Sequence, residues 1–492
     1  MPHYRCSWRS ARPIAVTAAA FPQDGERRAR WQGPFSTTLP TPRGGVTSVV
    51  VVVGAQFGDE AKGKICDFLS ANAQYVVRTG GGPNAGHSIH LAEGAVVLHQ
   101  LSCGVLRSGT VGVSGPGMVL QPIKLEEEIA DLERRGLLRG EVVISDRAHV
   151  LLPLHEAEDA WEDEVRTRVN PAAALGTTRM GIGPAYADRA SRFGLRFADL
   201  LRPAGLREKL EILYATKAHL GPLPPVDELA ARLTEVGGRL APHVRSTEPM
   251  LWEALARGET VLLEGAQSAL LDIDFGTYPF VTSSHPTSAG ALVGSGLPPT
   301  EVSEIVGVAK GYATRVGSGP FPTEDSGESG EFLRRVGGER GATTGRPRRC
   351  GWLDLVLLRY AARLNGFTSL AITKVDVLGG LDQIPVCNQY LMPDGTTVRD
   401  VLPTNADDLA RAQPVYDRFE GWPEFHERLK ERLRHEGSRA LPASLRRYLE
   451  HVAQEVGVPV EFVGYGPRRE ETVRLEPMAG VGYSSALSAW TG

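Results

Sequence analysis

Val49-Val-Val-Val-Val-Gly54, followed at once by Ala55-Gln-Phe-Gly-Asp-Glu-Ala-Lys-Gly-Lys64, is the stretch that decides the fold. A five-valine run has no polar face, so it suits a strand covered on both sides, as in a parallel sheet. Gly54, Gly58 and Gly63 then mark a turn into a helix. Glycines at such a turn let backbone N–H groups approach phosphate oxygens, and the helix N-terminus favours the negative charge. Gly58 to Lys64 fits the spacing G-x-x-x-x-G-K, but Ile65 stands where a P-loop carries the Ser or Thr that holds Mg2+. Asp59, inside the loop, becomes the candidate metal ligand. A carboxylate there can also act as a base on a substrate beside the nucleotide.

Working outward, further apolar runs read as buried strands at Tyr75–Arg78, Val142–Ser145, Val261–Glu264, Val302–Val308 and Ser369–Thr373. Helical patterns fall between several of them, at Leu125–Arg135 and Asp354–Asn365. This alternation predicts an α/β fold, a large central, mostly parallel sheet flanked by helices around a P-loop-like core. Residues 200–260 and 403–450 are charged and helical in pattern and are expected to be insertions.

Composition narrows the function classes. The net charge of −4 over 492 residues argues against a protein devoted to nucleic acid or anionic membrane. Residues 1–46 hold seven Arg against Asp24 and Glu26, a local +5 that leaves −9 for the rest. Five scattered cysteines with no C-x-x-C pair indicate neither a disulfide framework nor a zinc site, which fits a reducing, cytoplasmic setting. No apolar run approaches the length of a membrane span. Pro13 to Phe21, weakly apolar after three Arg, is at most a poor targeting peptide.

Six more segments carry chemistry. Thr79-Gly-Gly-Gly-Pro-Asn-Ala-Gly-His-Ser88 reads as a second, mobile anion-contacting loop with His87 as an acid or charge stabiliser. His90, His99, His149 and His155 lack such surroundings and read as structural. Leu175–Thr178 and Gly181–Tyr186 resemble a phosphate cradle, and Glu264-Gly-Ala-Gln267 offers an amide that can read a base edge. Gly341-Ala-Thr-Thr-Gly-Arg-Pro-Arg-Arg349 sets three guanidinium groups beside two hydroxyls, matching a dicarboxylic substrate. A nucleic-acid patch is the weaker reading, because no aromatic platform is interleaved. Thr373-Lys-Val-Asp376 ends a strand with an acid that can accept the N1 and 2-amino hydrogens of guanine, which points to GTP.

Together these segments resemble the adenylosuccinate synthetase family from about Val46 to Pro477. Asp272-Ile-Asp-Phe-Gly-Thr-Tyr-Pro279, Val281–Ser284 and Gly317–Glu324 add to the match. The resemblance implies ligation of IMP and L-aspartate at the expense of GTP, with Mg2+, through 6-phosphoryl-IMP, in a cytoplasmic homodimer. It implies catalysis by Asp59, His87, Lys62 and Gln267. IMP would meet Asp59, Lys62, Asn84, His87, Thr178, Gln267, Thr282 and Arg346, with Arg192 reaching its 5′-phosphate from the partner subunit. Aspartate would bind Ala342, Thr343, Thr344, Arg346 and Arg348. GTP would bind Gly58, Glu60, Gly63, Lys64, Gly86, Ser88, Arg348, Lys374, Val375, Asp376, Gly464, Tyr465 and Gly466. Asp59 and the Gly86 carbonyl would hold the metal.

The chain departs from the family pattern at Ala61 (Gly expected), at Arg179-Met180 (Gly-Arg), at Ser268-Ala269 (Gly-Thr) and at His285-Pro286 (Asn-Thr). These leave open a relative acting on another purine nucleotide, such as the phage-type enzyme that uses dGMP, although that branch replaces the loop acid by Ser and this chain keeps Asp59. A GTP-binding switch protein explains Lys374 and Asp376 but not His87, Gln267 or the arginine loop. The expected organisation is a disordered leader (1–45), one catalytic unit (46–478) and a loose tail (479–492). The first internal Met is Met118, so a non-ATG start near Val46 is a further expectation.

Overall fold

The computed structural model describes residues 48–171, 174–341 and 345–476. The leader, the tail and Ala342–Thr344 of the arginine loop lie outside the described residues. The valine run forms the strand Val49–Gly54 (β1), and none of its five valines is more than 1% exposed. Strand periodicity sends Val49, Val51 and Val53 into one hydrophobic core and Val50 and Val52 into another on the opposite face. Burying each valine contributes on the order of 1.5–3 kcal/mol.

β1 sits within a ten-stranded sheet. The other members are Tyr75–Arg78 (β2), Val111–Ser114 (β3), Glu141–Ser145 (β4), Val244–Arg245 (β5), Val261–Glu264 (β6), Val302–Lys310 (β7), Ser369–Thr373 (β8), Val460–Gly464 (β9) and Thr472–Arg474 (β10). Their order is β10-β9-β8-β7-β1-β6-β2-β3-β4-β5. Every pairing is parallel except the edge pair β9–β10. The loops leaving the C-terminal ends of β1, β2, β6, β8 and β9 therefore emerge on one side, where ligands of open α/β sheets bind.

The helix Lys62–Leu69 (α1) follows the β1 loop, and Pro122–Arg134 (α2), Pro153–Val169 (α3) and Ile182–Ser191 (α4) come later. The expected helical insertion holds Pro203–Thr216, Val226–Leu240 and Thr247–Ala256. Two elements differ from the sequence reading. His87 does not end a loop but opens the strand His87–Leu91, which pairs with Gly94–Leu98 as a hairpin. Within 403–450, Gln413–Glu420 is an antiparallel strand on Gln383–Leu391, in a second sheet that also contains Tyr312–Arg315 and Arg349–Asp354. Its apolar side chains are only half-buried or exposed, so it carries little of the alternation that marks a strand.

Candidate active site

The loops at the C-terminal side of the sheet enclose a cavity of about 620 Å3. From the β1 loop it is lined by Gly58, Asp59, Lys62, Gly63 and Lys64. Asn84, Gly86, His87 and Ser88 come from the segment after β2, with Thr178 and Gln267 from two further loops. Arg348, Lys374, Asp376 and Gly466 complete the expected residues that meet there.

The backbone at this site is strained. Six described non-glycine residues have positive φ, namely Asp59, Ala61, Arg179, Arg192, Gln267 and Lys374. Asp59, Ala61, Gln267 and Lys374 line the cavity. Each such residue costs about 1–2 kcal/mol, which surrounding contacts must offset. The main source of those contacts in the β1 loop is Glu60, which is fully buried. Its Oε1 accepts from the amides of Gln56 (3.1 Å) and Gly58 (2.8 Å) and from Ser268 Oγ (2.5 Å). Its Oε2 meets Lys62 Nζ at 2.6 Å. Burial would raise the Glu60 pKa, but the Lys62 charge and these hydrogen bonds hold it below its ordinary value.

His87 is held from behind. Its Nδ1 pairs with Glu264 Oε1, and Glu264 Oε2 accepts from the Cys103 amide at 2.8 Å. Burial drives the His87 pKa down despite the carboxylate beside it. Gly63 permits this arrangement, since a Cβ there would lie 2.8 Å from the Cβ of His87.

Asp59 Oδ2 forms an ion pair with Arg348 Nε at 2.7 Å, and Arg348 Nη1 meets Glu339 at 2.5 Å. Glu339 also binds Lys310 (3.0 Å), Lys374 (2.8 Å) and the Tyr312 hydroxyl. Burial opposes ionisation of Glu339, yet Lys310, Lys374 and Arg348 together hold its pKa far below the usual carboxylate range. Burial pushes Lys310 down to about 8. Asp376 Oδ1 and Gln267 Oε1 are buried acceptors without a partner, on residues that line the cavity. Such atoms are costly unless a ligand donates to them.

Several expected residues lie elsewhere. The Glu60 side chain is turned under its loop, and Val375 and Tyr465 are fully buried in the core, so none of the three lines the cavity. Gly464 ends β9. Thr282 donates its amide to the Leu271 carbonyl at 2.8 Å outside the cavity. Arg346 is exposed, with Nη1 3.3 Å from the Gly176 carbonyl. Arg192 is exposed at the C-terminus of α4, also outside the cavity. Lys64 lines the cavity but donates to the carbonyls of Gly466 (2.6 Å) and Glu471 (2.7 Å), and burial lowers its pKa to about 8.

Of the four departures from the family pattern, all but Ala61 find structural partners. Ala61 sits at φ 62°, where glycine is favoured. Ser268 joins the Glu60–Lys62 network, with Lys62 Nζ 3.3 Å from its Oγ. Arg179 reaches Asp163 of α3 at 3.4 Å, while Met180 packs against a small core containing Val119, Leu151 and Ile182. His285 Nδ1 lies 3.2 Å from Asp272 Oδ2.

Glu339, Lys310 and Tyr312 were missed from the sequence, Glu264 was given no role of its own, and His90, which reads as structural there, lines the cavity. Lys310 closing an apolar strand was a usable signal, because a cation buried there requires an anion.

The family model for adenylosuccinate synthetase matches residues 51–473. The adenylosuccinate synthetase of Moorella thermoacetica is 45% identical over 438 residues, spanning 87% of this chain and 99% of that protein. The solved structure of fully ligated adenylosuccinate synthetase from Plasmodium falciparum matches with a TM-score of 0.81 at 34% identity, over 87% of this chain and 100% of that one. The cyanophage S-2L succinoaminodeoxyadenylate synthetase, bound to dGMP and dATP, shares the fold more distantly, at 19% identity and a TM-score of 0.56 over 90% of this chain and 98% of that one.

Proposed function

The chain belongs to the adenylosuccinate synthetase family, and we propose that Asp59, His87, Lys62 and Gln267 carry the chemistry by which it joins IMP to L-aspartate at the expense of GTP. The observation that supports this most is convergence: residues from separate segments, among them Asp59, His87, Gln267, Lys374 and Asp376, line a single cavity. Asp59 removes the N1 proton of IMP. The O6 oxygen so activated attacks the γ-phosphate of GTP, giving 6-phosphoryl-IMP and GDP. The aspartate amine then displaces phosphate from C6. Phosphorylation is needed because an amide-like oxygen is a poor leaving group.

His87, oriented by Glu264 at Nδ1, donates from Nε2 to the transferring phosphoryl group once that nitrogen takes up a proton, with Glu264 balancing the imidazolium, and Lys62 offsets charge developing there. Asn84, Thr178 and Gln267 hold IMP, with the unpartnered Gln267 Oε1 as one acceptor. Asp376 Oδ1 accepts from guanine, while Lys374 and the Gly466 loop flank the base. Arg346 and Arg348 serve the aspartate carboxylates. The Asp59 carboxylate and the Gly86 carbonyl are hard oxygen donors on residues of one cavity, which suits Mg2+. When bound, Mg2+ supplies neutralisation of phosphate charge.

Arg192, exposed and outside the lining of its own cavity, reaches IMP in a partner copy of a homodimer. The four cysteines among the described residues are free and buried, which fits a reducing cytoplasm. Among the described residues no helix is long and apolar enough to cross a membrane. Retention of Asp59 and the distance from the dGMP-bound relative favour IMP over dGMP.

The test is phosphate release with IMP, GTP, Mg2+ and aspartate, each omitted in turn, and the nucleotide product identified by mass. Release should vanish with any omission and in Asp59→Ala. GTP turnover that ignores IMP and aspartate would favour a switch protein, and near-normal rates in Asp59→Ala would remove the base.

A further inference from the structure

Glu339 is fully buried and does not line the cavity, yet its carboxylate touches both ends of the site. Oε1 receives Lys374 Nζ at 2.8 Å and Lys310 Nζ at 3.0 Å, and Oε2 receives Arg348 Nη1 at 2.5 Å. The other edge of the Arg348 guanidinium faces Asp59, with Nε 2.7 Å from Oδ2. A planar guanidinium held at two edges has its orientation fixed. Lys374 is similarly fixed, because its ammonium also donates to the Gly337 carbonyl at 2.8 Å.

A purely structural counter-ion for the fully buried Lys310 would need only one contact. Glu339 instead spends an oxygen on each of two cations that line the cavity. We propose that Glu339 is a positioning residue shared by the two halves of the site, one oxygen setting Lys374 for the nucleotide base and the other setting Arg348 against Asp59. It rests on the reading in which Asp59 and Lys374 serve the ligase reaction.

The experiment compares Glu339→Gln/Lys310→Met, Glu339→Asp, Lys374→Met and Lys374→Met/Glu339→Gln with the full-length parent. The first variant removes one buried charge of each sign, so Lys310 is not left unpaired. Circular dichroism and thermal unfolding report folding, and steady-state kinetics separate KM for GTP from kcat. In Glu339→Gln/Lys310→Met, KM for GTP should rise at least tenfold and kcat fall at least tenfold. Glu339→Asp, which keeps the charge and shortens its reach, should move both parameters the same way by a smaller factor. Relative to Lys374→Met alone, Lys374→Met/Glu339→Gln should show no further rise in KM for GTP but a further fall in kcat.

Folded variants with both parameters within threefold of the parent would reduce Glu339 to a counter-ion of Lys310. Movement of only one parameter would overturn the shared role. Should Glu339→Gln/Lys310→Met fail to fold, unchanged kinetics in Glu339→Asp would overturn it equally. A parent that ignores IMP and aspartate brings down the ligase reading itself, whereas a normal parent with unperturbed variants brings down only the role of Glu339.

Discussion

Replacing Glu60 by Gln tests whether the phosphate loop is held in its strained shape by one buried carboxylate. Glutamine can still present an oxygen to the amides of Gln56 and Gly58, now 3.1 and 2.8 Å from Oε1. The other end becomes an NH2 group facing Lys62 Nζ, where the present separation is 2.6 Å, so two donors confront each other. Lys62 is only 4% exposed and would lose its counter-ion. Removing one partner of such a buried pair costs about 3–5 kcal/mol.

The double variant Glu60→Gln/Lys62→Met removes both charges and should recover most of that loss, since a buried pair and an apolar replacement are often close in stability. The assay is equilibrium urea unfolding of the parent, both single variants and the double variant, read as a double-mutant cycle. Activity should stay lost in the double variant, because Lys62 is assigned to the phosphoryl group. A loss below about 1 kcal/mol in Glu60→Gln, or no recovery in the double variant, would refute the reasoning.

Ala61→Gly should stabilise the protein by about 0.5–1 kcal/mol, because relief at φ 62° exceeds the added chain entropy; urea midpoints check it. Asp376→Asn should raise KM for GTP about 10- to 100-fold, the equivalent of one hydrogen bond to a charged acceptor, with kcat at saturating GTP less affected. Glu304, fully buried with Oε2 unpartnered, has its pKa raised to about 7 by burial. The folded state then binds this proton more tightly than the unfolded one. Stability should be greatest below the unfolded pKa near 4.5 and fall by about 3 kcal/mol as pH rises to 7, a slope that Glu304→Gln should flatten.

The parallel sheet was legible because its strands are buried on both faces and read as unbroken apolar runs, of which Val49–Val53 is the plainest. The glycine-rich turns announced the phosphate side for the same local reason. What stayed hidden depends on distant partners. Gln413–Glu420 becomes a strand through its pairing with Gln383–Leu391, and its own pattern is weak. The reach of Glu339 to Lys310, Lys374 and Arg348 joins three separate segments, so no short motif contains it. Lys64 is a different case, because its partners lie far along the chain. Its motif position suggested a phosphate ligand, whereas its ammonium is satisfied by two carbonyls of the Gly466–Glu471 segment.

That bond of Lys64 has a consequence for the order of assembly. It joins residues 402 positions apart, and Asp67, one turn further along α1, meets Arg469 at 2.7 Å across the same interval. During synthesis the phosphate loop leaves the ribosome long before the segment that braces it, and contacts of such separation form late. In a nascent chain β1 waits for its neighbours β6 and β7, and the nucleotide pocket is unfinished until the segment after β9 has docked. An unfinished copy would thus be silent towards GTP, and the nucleotide would encounter only molecules able to complete the reaction.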